Sequence, residues 1–514
     1  MSPSLEALVL RLRDAITQHM GLAFDETKHD LLADVLRRRA EALASAPELY
    51  LNKLEATCST EERRALALEL TVPETYFFRH SDQMRAFTEL ALPARVQIQS
   101  ATRKLRLLSA GCASGEEPYS LAILLRESAL EPGWETTLHA FDINPVVLEK
   151  ARRGRYTSWA LRETPKQLQE RWFRREGRDF VLDERIRAAV TFRELNLAYE
   201  PLEHTTYDVI FCRNMMMYFA PEVAAALVAK LTRALAPGGY LFLGHAETLR
   251  GLSHDFHLCH THGTFYYQRK DALDLGPEQV PRKLWPAASP GNAWANSWIE
   301  TVQDSAARIE QLLARGAGHV DARSEPLAGA LERPRGGSAA KTNATPRRVF
   351  DLSNALELLQ RERFGEALER VVELPSEAGG DPDVLLLRGA LLAHSGQLTE
   401  AEHTCSQLLA LDELNTGAHY LLALCRERAG DRAGALDHDQ AAVYLDPTFA
   451  MPRLHLGLMA RRTGDREGAR RELGQALALL RREDSSRLLL FGGGFGRDAL
   501  IALCQAELTL VGRP

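Results

Sequence analysis

Residues 106–120 read Arg-Leu-Leu-Ser-Ala-Gly-Cys-Ala-Ser-Gly-Glu-Glu-Pro-Tyr-Ser, and no other stretch limits the possible folds as tightly. The apolar run at 105–110 has the length and flanks of a buried parallel strand. It breaks into Gly111, Cys112, Ala113, Ser114 and Gly115, all small, and a helical pattern follows. A strand, a small-residue bend and a helix N-terminus in that order let a ligand approach the backbone closely, although an ordinary βα connection has the same outline. A second apolar strand at 137–143 follows one helix later and carries Asp142 near its end. Doubly wound folds use an acid there to accept hydrogen bonds from ribose hydroxyls. The G-x-G-x-x-G pattern is not matched, and no Lys follows as in a phosphate-cradling loop. Glu116 and Glu117 stand at the helix start, where they would repel an anion. The expected ligand is therefore a nucleoside with a positive group, and S-adenosylmethionine, with its ribose, amino group and sulfonium, fits that description.

At 514 residues the chain is long enough for about three domains. A net charge of -6 argues against a general nucleic-acid binder. The seven cysteines are scattered without C-x-x-C spacing, as expected of free thiols in a cytoplasmic protein. No run reads as a membrane span, and residues 1–20 read as an amphipathic helix rather than a signal peptide. Residues 1–95 read as a helical subdomain, with Leu5, Leu8, Val9, Leu12 and Ile16 at helical spacing. Arg37, Arg38 and Arg39 form either a solvated C-terminal turn or a docking face for an acidic helix. The following run, Thr71-Val-Pro-Glu-Thr-Tyr-Phe-Phe-Arg79, is either a domain joint or a place where Arg79 orients a carboxylate substrate by paired hydrogen bonds.

Residues 96–270 alternate strand and helix, an α/β Rossmann-like pattern. Further strands are expected at 207–212 and, after the turn Ala236-Pro-Gly-Gly239, at 239–245, with 264–268 closing the sheet. Stretches 180–182 and 188–192 are expected to pair as a small hairpin. Residues 271–348 are rich in Pro, Gly, Ala and Ser and read as a flexible linker, with one helix around 298–313. Beyond it the chain repeats. Gly396, Gly430 and Gly464 are 34 residues apart, as are Ala401, Ala435 and Ala469, and Gly389, Ala423 and Gly457. That period is the tetratricopeptide one, predicting an α-solenoid over 349–484 with three clear repeats and one partial. Such solenoids carry a concave peptide-binding surface. Residues 485–514 then form a terminal segment, in which Phe491-Gly-Gly-Gly-Phe-Gly496 is a cap or a flexible peptide-like motif.

Taken together, Glu74-Thr-Tyr-Phe-Phe-Arg79, Ser114-Gly-Glu-Glu-Pro-Tyr-Ser120, Phe141-Asp-Ile143, Ala151-Arg-Arg-Gly-Arg-Tyr156, Phe211-Cys-Arg-Asn214 with Tyr218-Phe219, and Pro237-Gly-Gly-Tyr-Leu-Phe-Leu-Gly-His-Ala-Glu247 resemble the CheR family. These are S-adenosylmethionine-dependent protein-glutamate O-methyltransferases of bacterial chemoreceptors, and some carry a repeat domain that serves alternative chemosensory systems. The resemblance implies cofactor contacts at Thr75, Arg79, Gly111, Glu117, Asp142, Asn196, Leu197, Arg213 and Asn214. Asp142 would hold the ribose, Glu117 would neutralise the ligand's positive charge and Asn196 would read the adenine edge. Arg79 and Tyr218 would stand beside the reacting carboxylate as the catalytic pair, and no metal is implied. Pro73 stands where the family has Asn, so any contact there runs through its carbonyl. The hairpin after Trp172 reads shorter than in members that grip a receptor pentapeptide, which leaves targeting to the repeats. The implied partners are the cytoplasmic helices of methyl-accepting chemoreceptors, with a further protein in the repeat groove and no nucleic acid. The membrane would be met only through the receptors. The rival from another class is an inactive methyltransferase-fold scaffold whose repeats recruit signalling proteins; an RNA or small-molecule methyltransferase is disfavoured by the acidic balance.

Overall fold

A computed structural model describes residues 3–71, 74–128, 130–202, 206–271, 352–361 and 363–511. Pro73, the expected linker beyond residue 271 and its helix around 298–313 lie outside the described residues. The described residues fall into two compact units, one ending at residue 271 and one starting at residue 352.

The first unit opens with four helices, α1 (Pro3–Met20), α2 (His29–Ala42), α3 (Pro47–Ala56) and α4 (Thr60–Leu70). Val9, Leu12, Ile16, Leu32, Val35, Leu51 and Leu66 recur at helical spacing and bury one stripe from each helix in a shared core. The basic block of α2 is paired within the lobe, although Arg37 and Arg38 stay exposed. Arg37 pairs with Asp34, Arg38 with Glu69 and Arg39 with Glu62. A bent helical stretch (Ser81–Ala86, Phe87–Ala91, Leu92–Ile98) then leads to the sheet. Arg95, only 2% exposed, pairs with Asp208 at 2.7 Å, and Asp208 also accepts the Arg106 N–H, so this helix is bolted to the sheet.

The strands are β1 (Lys104–Ala110), β2 (Glu135–Asp142), β3 (Arg155–Thr157), β4 (Phe173–Glu176), β5 (Asp179–Leu182), β6 (Val190–Glu194), β7 (Tyr207–Cys212), β8 (Leu235–Leu243), β9 (Phe256–Thr261) and β10 (Thr264–Arg269). Seven of them form one sheet in the order β6-β2-β1-β7-β8-β10-β9. The pairs from β6 to β8 are parallel, while β10 runs antiparallel to both β8 and β9. Helices α5 (Glu116–Glu127), α6 (Pro145–Arg153) and α7 (Pro221–Ala234) supply crossovers. Strand order reverses at β1, with β2 on one side and β7 on the other, so the crevice of such a sheet opens at the carboxyl ends of these strands.

Three expectations are corrected. Residues 188–192 do not pair with 180–182: β6 joins the main sheet beside β2, with Leu138 opposite Val190, while β5 pairs with β3 and β4 in a separate three-stranded sheet. Ala236–Gly239 is not a turn before β8 but lies inside it, at a register shift between Tyr207 and Val209. Gly238 takes φ +64° at that irregularity. The residues at 264–268 do not close the sheet, because the histidine-bearing strand β9 lies outside them.

The second unit begins with four antiparallel helix pairs: α8 (Ser353–Gln360) with α9 (Phe364–Val372), α10 (Pro382–His394) with α11 (Leu398–Leu411), α12 (Thr416–Arg428) with α13 (Arg432–Leu445), and α14 (Ala450–Thr463) with α15 (Arg466–Leu480). The repeating glycines Gly396, Gly430 and Gly464 have φ of +74°, +84° and +81° and end the first helix of a pair in the left-handed turn that glycine tolerates best. Ala401, Ala435 and Ala469 are fully buried where the two helices touch. Helices α16 (Ser485–Phe491) and α17 (Arg497–Val511) follow. No helix among the described residues is long and apolar enough to cross a membrane.

The close helix contacts give a testable pair. A Cβ at Gly457 would stand 2.6 Å from Leu473 Cγ and 3.0 Å from the Leu473 backbone nitrogen, whereas one at Gly474 meets nothing within 4 Å. Gly457→Ala should cost about 1–3 kcal/mol by overpacking, outweighing the helix-propensity gain. Gly474→Ala should stabilise by up to about 1 kcal/mol. Thermal melts of the two variants should move in opposite directions.

Candidate functional site

β1 ends at Ala110, and Gly111, Ala113 and Gly115 all take positive φ, +76°, +45° and +91°. The bend must be glycine where it is tightest: a Cβ at Gly111 would sit 2.7 Å from Met215 Sδ, and one at Gly115 2.8 Å from Ala151 Cβ. Asp142 at the end of β2 closes the bend. One carboxylate oxygen accepts the Ala113 N–H at 2.8 Å and the other the Asn144 N–H at 2.9 Å. Burial pushes its pKa up, and these N–H donors pull it back down.

A cleft that opens to solvent lies over this bend. It brings together six of the residues singled out from sequence: Gly111, Asp142, Asn196, Leu197, Asn214 and Tyr218. Asn196 is only 3% exposed and its amide already donates to the His19 carbonyl and accepts the Ala198 N–H, so part of its capacity holds the loop. Leu197 is held through its carbonyl by Lys230. Tyr218 is 41% exposed at the wall, on the short turn Met216–Tyr218.

Four other singled-out residues stand off the lining. Glu117 and Arg213 form a buried ion pair at 3.0 Å, and Glu117 also accepts Ser109 Oγ–H. Glu117 is thus neutralised by the protein's own guanidinium, not left bare for a ligand's charge. Arg213 in turn donates to the Arg79 carbonyl at 2.8 Å and to Gln83 Oε1 at 3.0 Å, which locks the turn that carries Arg79. Arg79 donates to the Glu74 carbonyl, while its buried Nε has no hydrogen-bond partner. Thr75 is half-buried and off the lining. Glu116, expected at the anion-repelling helix start, is turned inward at 1% exposure and accepts from Ser114 Oγ.

Sequence reasoning missed three contributors. Glu247, 4% exposed, accepts the backbone N–H groups of Asn214, Met215, Met217 and Gly244 and so shapes the loop that presents Asn214 and Tyr218. The signal was the carboxylate closing the Gly244-His-Ala-Glu247 run. The N-terminal lobe supplies a wall of Met20, Leu22, Leu70 and Thr71, with Ala23 N–H donating to the Tyr218 carbonyl; helical periodicity alone carries no sign of that. His80 lies against His245 with ring centroids 4.0 Å apart and planes tilted by 56°. Burial, then the charge of Arg213, pushes the His80 pKa down to about 3, so the ring is neutral at pH 7. Phe78 and His80 both hold positive φ, +57° and +61°, a conformation costly for residues with side chains and common where a site is held under strain. Among the described residues, no grouping of His, Cys, Asp and Glu has metal-holding geometry.

Among the described residues the cleft lining carries one carboxylate, apolar walls and no Lys or Arg. That donor set suits a nucleoside bearing positive charge and does not suit phosphates. Asp142→Asn should weaken S-adenosylhomocysteine binding by about 10- to 100-fold, the worth of a lost charge-assisted hydrogen bond. Isothermal titration with an unchanged dissociation constant would take Asp142 out of the site.

Residues 73–265 match the family described as CheR methyltransferase, SAM binding domain. A probable biofilm formation methyltransferase, WspC, of Pseudomonas putida is 29% identical across 89% of this chain and 95% of its own. Chemotaxis protein methyltransferase 2 of Vibrio cholerae is 33% identical across 48% of this chain and 88% of its own. A chemotaxis protein methyltransferase of Borreliella burgdorferi is 33% identical across 47% of this chain and 88% of its own.

Proposed function

Because the chain belongs to the CheR methyltransferase family, whose cofactor is S-adenosylmethionine, we propose that it methylates glutamate side chains on the cytoplasmic helices of methyl-accepting chemoreceptors. The products are γ-methyl esters, and the near full-length likeness to the Pseudomonas proteins supports a role in an alternative chemosensory pathway. The observation that carries this reading is the cleft at the carboxyl ends of β1 and β2, with Asp142 as its one carboxylate.

When bound, S-adenosylmethionine supplies a methyl group activated by a sulfonium. Asp142 accepts from the ribose hydroxyls, and the bend at Gly111 lets the nucleoside lie against backbone. Asn196, Leu197 and Asn214 line the remainder, while the Glu117–Arg213 pair holds the Arg79 turn from beneath. Arg79 aims the acceptor carboxylate with its guanidinium, and Tyr218 forms part of the cleft wall. A glutamate is already ionised at neutral pH, so no general base is required. The acceptor oxygen would take the methyl group that the sulfonium supplies, with the thioether as leaving group. Rate then depends on alignment and on excluding water. The helical lobe (1–95), the methyltransferase domain (96–270), the repeats (349–484) and the terminal segment (485–514) divide this work, the repeats choosing the receptor. The site of action is the cytoplasm, at the receptor's inner end.

Radiolabelled methyl transfer to receptor-containing membranes, with mass spectrometry of receptors from cells with and without the protein, tests this. The expected result is a base-labile glutamyl ester that disappears with the protein. Cofactor binding without any transfer would leave only a scaffold.

A further inference from the structure

The first helices of the repeats begin at Pro382, Thr416 and Ala450, 34 residues apart, and the second helices at Leu398, Arg432 and Arg466. The same step places a fifth pair at 484 and 500, where α16 and α17 stand in sequence. Only α17 continues the stack, against α14 and α15. Helix α16 folds back onto α8 and α10, the first helices of the opening pairs. First helices line the inner face of such a solenoid, so the fifth repeat has given up its own first helix to fill the groove.

The contacts are those of a peptide ligand. Phe491, 5% exposed, inserts between Tyr420 and Phe449, with ring centroids 5.9 and 5.1 Å away. It enters a notch that exists because residue 417 is glycine: a Cβ there would stand 2.7 Å from Phe491 Cζ. His394 donates from its ring to the Leu490 carbonyl at 2.8 Å. Leu489 and Leu490 rest on Leu359, Val384, Leu387 and Leu391. Arg487, one turn before Phe491 and on the same face, pairs with Asp446 and Glu483 at the groove's acidic end.

The occupant fits imperfectly. Tyr420 Oη is fully buried beside Phe491 with no hydrogen-bond partner, a costly state for a hydroxyl. A solvent-open hollow lies between Leu359, Phe364 and the run Gly494–Arg497. Gly493 and Gly494, with φ of +64° and +83°, form the return path to α17.

We propose that the inner face of the repeats is a docking groove for a short helical segment of a partner protein, one that carries a basic residue one turn before an aromatic and leucines between them. Residues 484–496 hold the groove in cis until that partner displaces them. The charge complementarity of Arg487 with Asp446 and Glu483, and the ring-sized notch at Gly417, set that chemistry. The inference deepens the partner reading of the repeats and is independent of methyl transfer, which no arm of its test reads.

The probe is a fluorescein-labelled peptide of residues 484–496 itself, titrated into the full chain. Phe491→Ala, which loosens the resident segment, should bind it at least tenfold tighter than the unaltered protein. Adding Gly417→Leu or Asp446→Asn should remove that gain. A folded Phe491→Ala variant with no gain overturns the proposal. If that variant does not fold, hydrogen exchange on the unaltered protein decides. Amides of α16 exchanging at least a hundredfold faster than those of α12 and α14 support an exchangeable occupant, and equal protection overturns it. Crosslinking of 484–496 into the groove of a second copy would replace the external partner by self-association and also overturn it.

Discussion

Replacing Arg79 by alanine should lower methyl transfer to chemoreceptors by about a thousandfold, the upper range for losing one preorganised donor at a reacting group, while cofactor affinity stays within about threefold. The reason lies in how the guanidinium is held. Arg213 grips the Arg79 carbonyl, the Glu74 carbonyl takes one terminal N–H, and Nε is buried without a partner. A buried donor left open costs stability, and under the proposed function the acceptor carboxylate is the group the Arg79 guanidinium would meet. Arg79→Lys keeps the charge but loses the planar fork, so it should recover only a small part of the rate. Titration calorimetry beside the radiolabel assay separates the roles: cofactor binding lost along with transfer would make Arg79 a cofactor ligand.

Removing either half of the buried Glu117–Arg213 pair should destabilise the first unit by about 3–5 kcal/mol, the usual cost of stranding one buried charge. Both side chains are nearly sealed, 11% and 2% exposed. Arg213→Met also frees the Arg79 and Gln83 contacts, so activity should fall even where the protein stays folded. Glu117→Leu combined with Arg213→Met should recover much of the stability, because no charge is then stranded, yet not the rate. The single Arg213→Met variant has a pH signature. Burial already pushes the Glu117 pKa up against the pull of Arg213, and without that pull it rises further. A carboxylate whose folded pKa lies above its unfolded one loses stability as pH rises through that interval. The variant should therefore regain stability on acidification from pH 8 to pH 5, by chemical denaturation, and a flat difference across that range would contradict the buried pairing.

Much of the site was legible because local chemistry writes it into the chain. Gly111 and Gly115 mark a bend only small residues can make, and Asp142 marks the end of a strand that must be β2. The roles inside the site were less legible. Glu117 reads as an exposed acid awaiting a cation, but its cation is Arg213, about a hundred positions away, and only folding introduces them. Glu247 reads as the tail of a motif, yet four backbone N–H groups converge on it. The cleft wall of Met20 and Leu22 carries no sequence mark, since any buried helix stripe has the same composition.

Sheet order behaved in the same way. Alternation of apolar strands with helices announced an α/β domain, but periodicity is blind to partners, and β6 pairs with β2 rather than with its neighbour β5. In the repeats the 34-residue step foretold an array of helix pairs, but α16 lay in the stretch read only as a terminal segment. The groove it fills was beyond that step's reach. A period specifies where a helix starts, through steric and hydrogen-bonding rules local to the chain. Which surface that helix covers depends on the sum of distant contacts, Phe491 in the notch of Gly417 and Arg487 on Asp446, and only the assembled solenoid creates those.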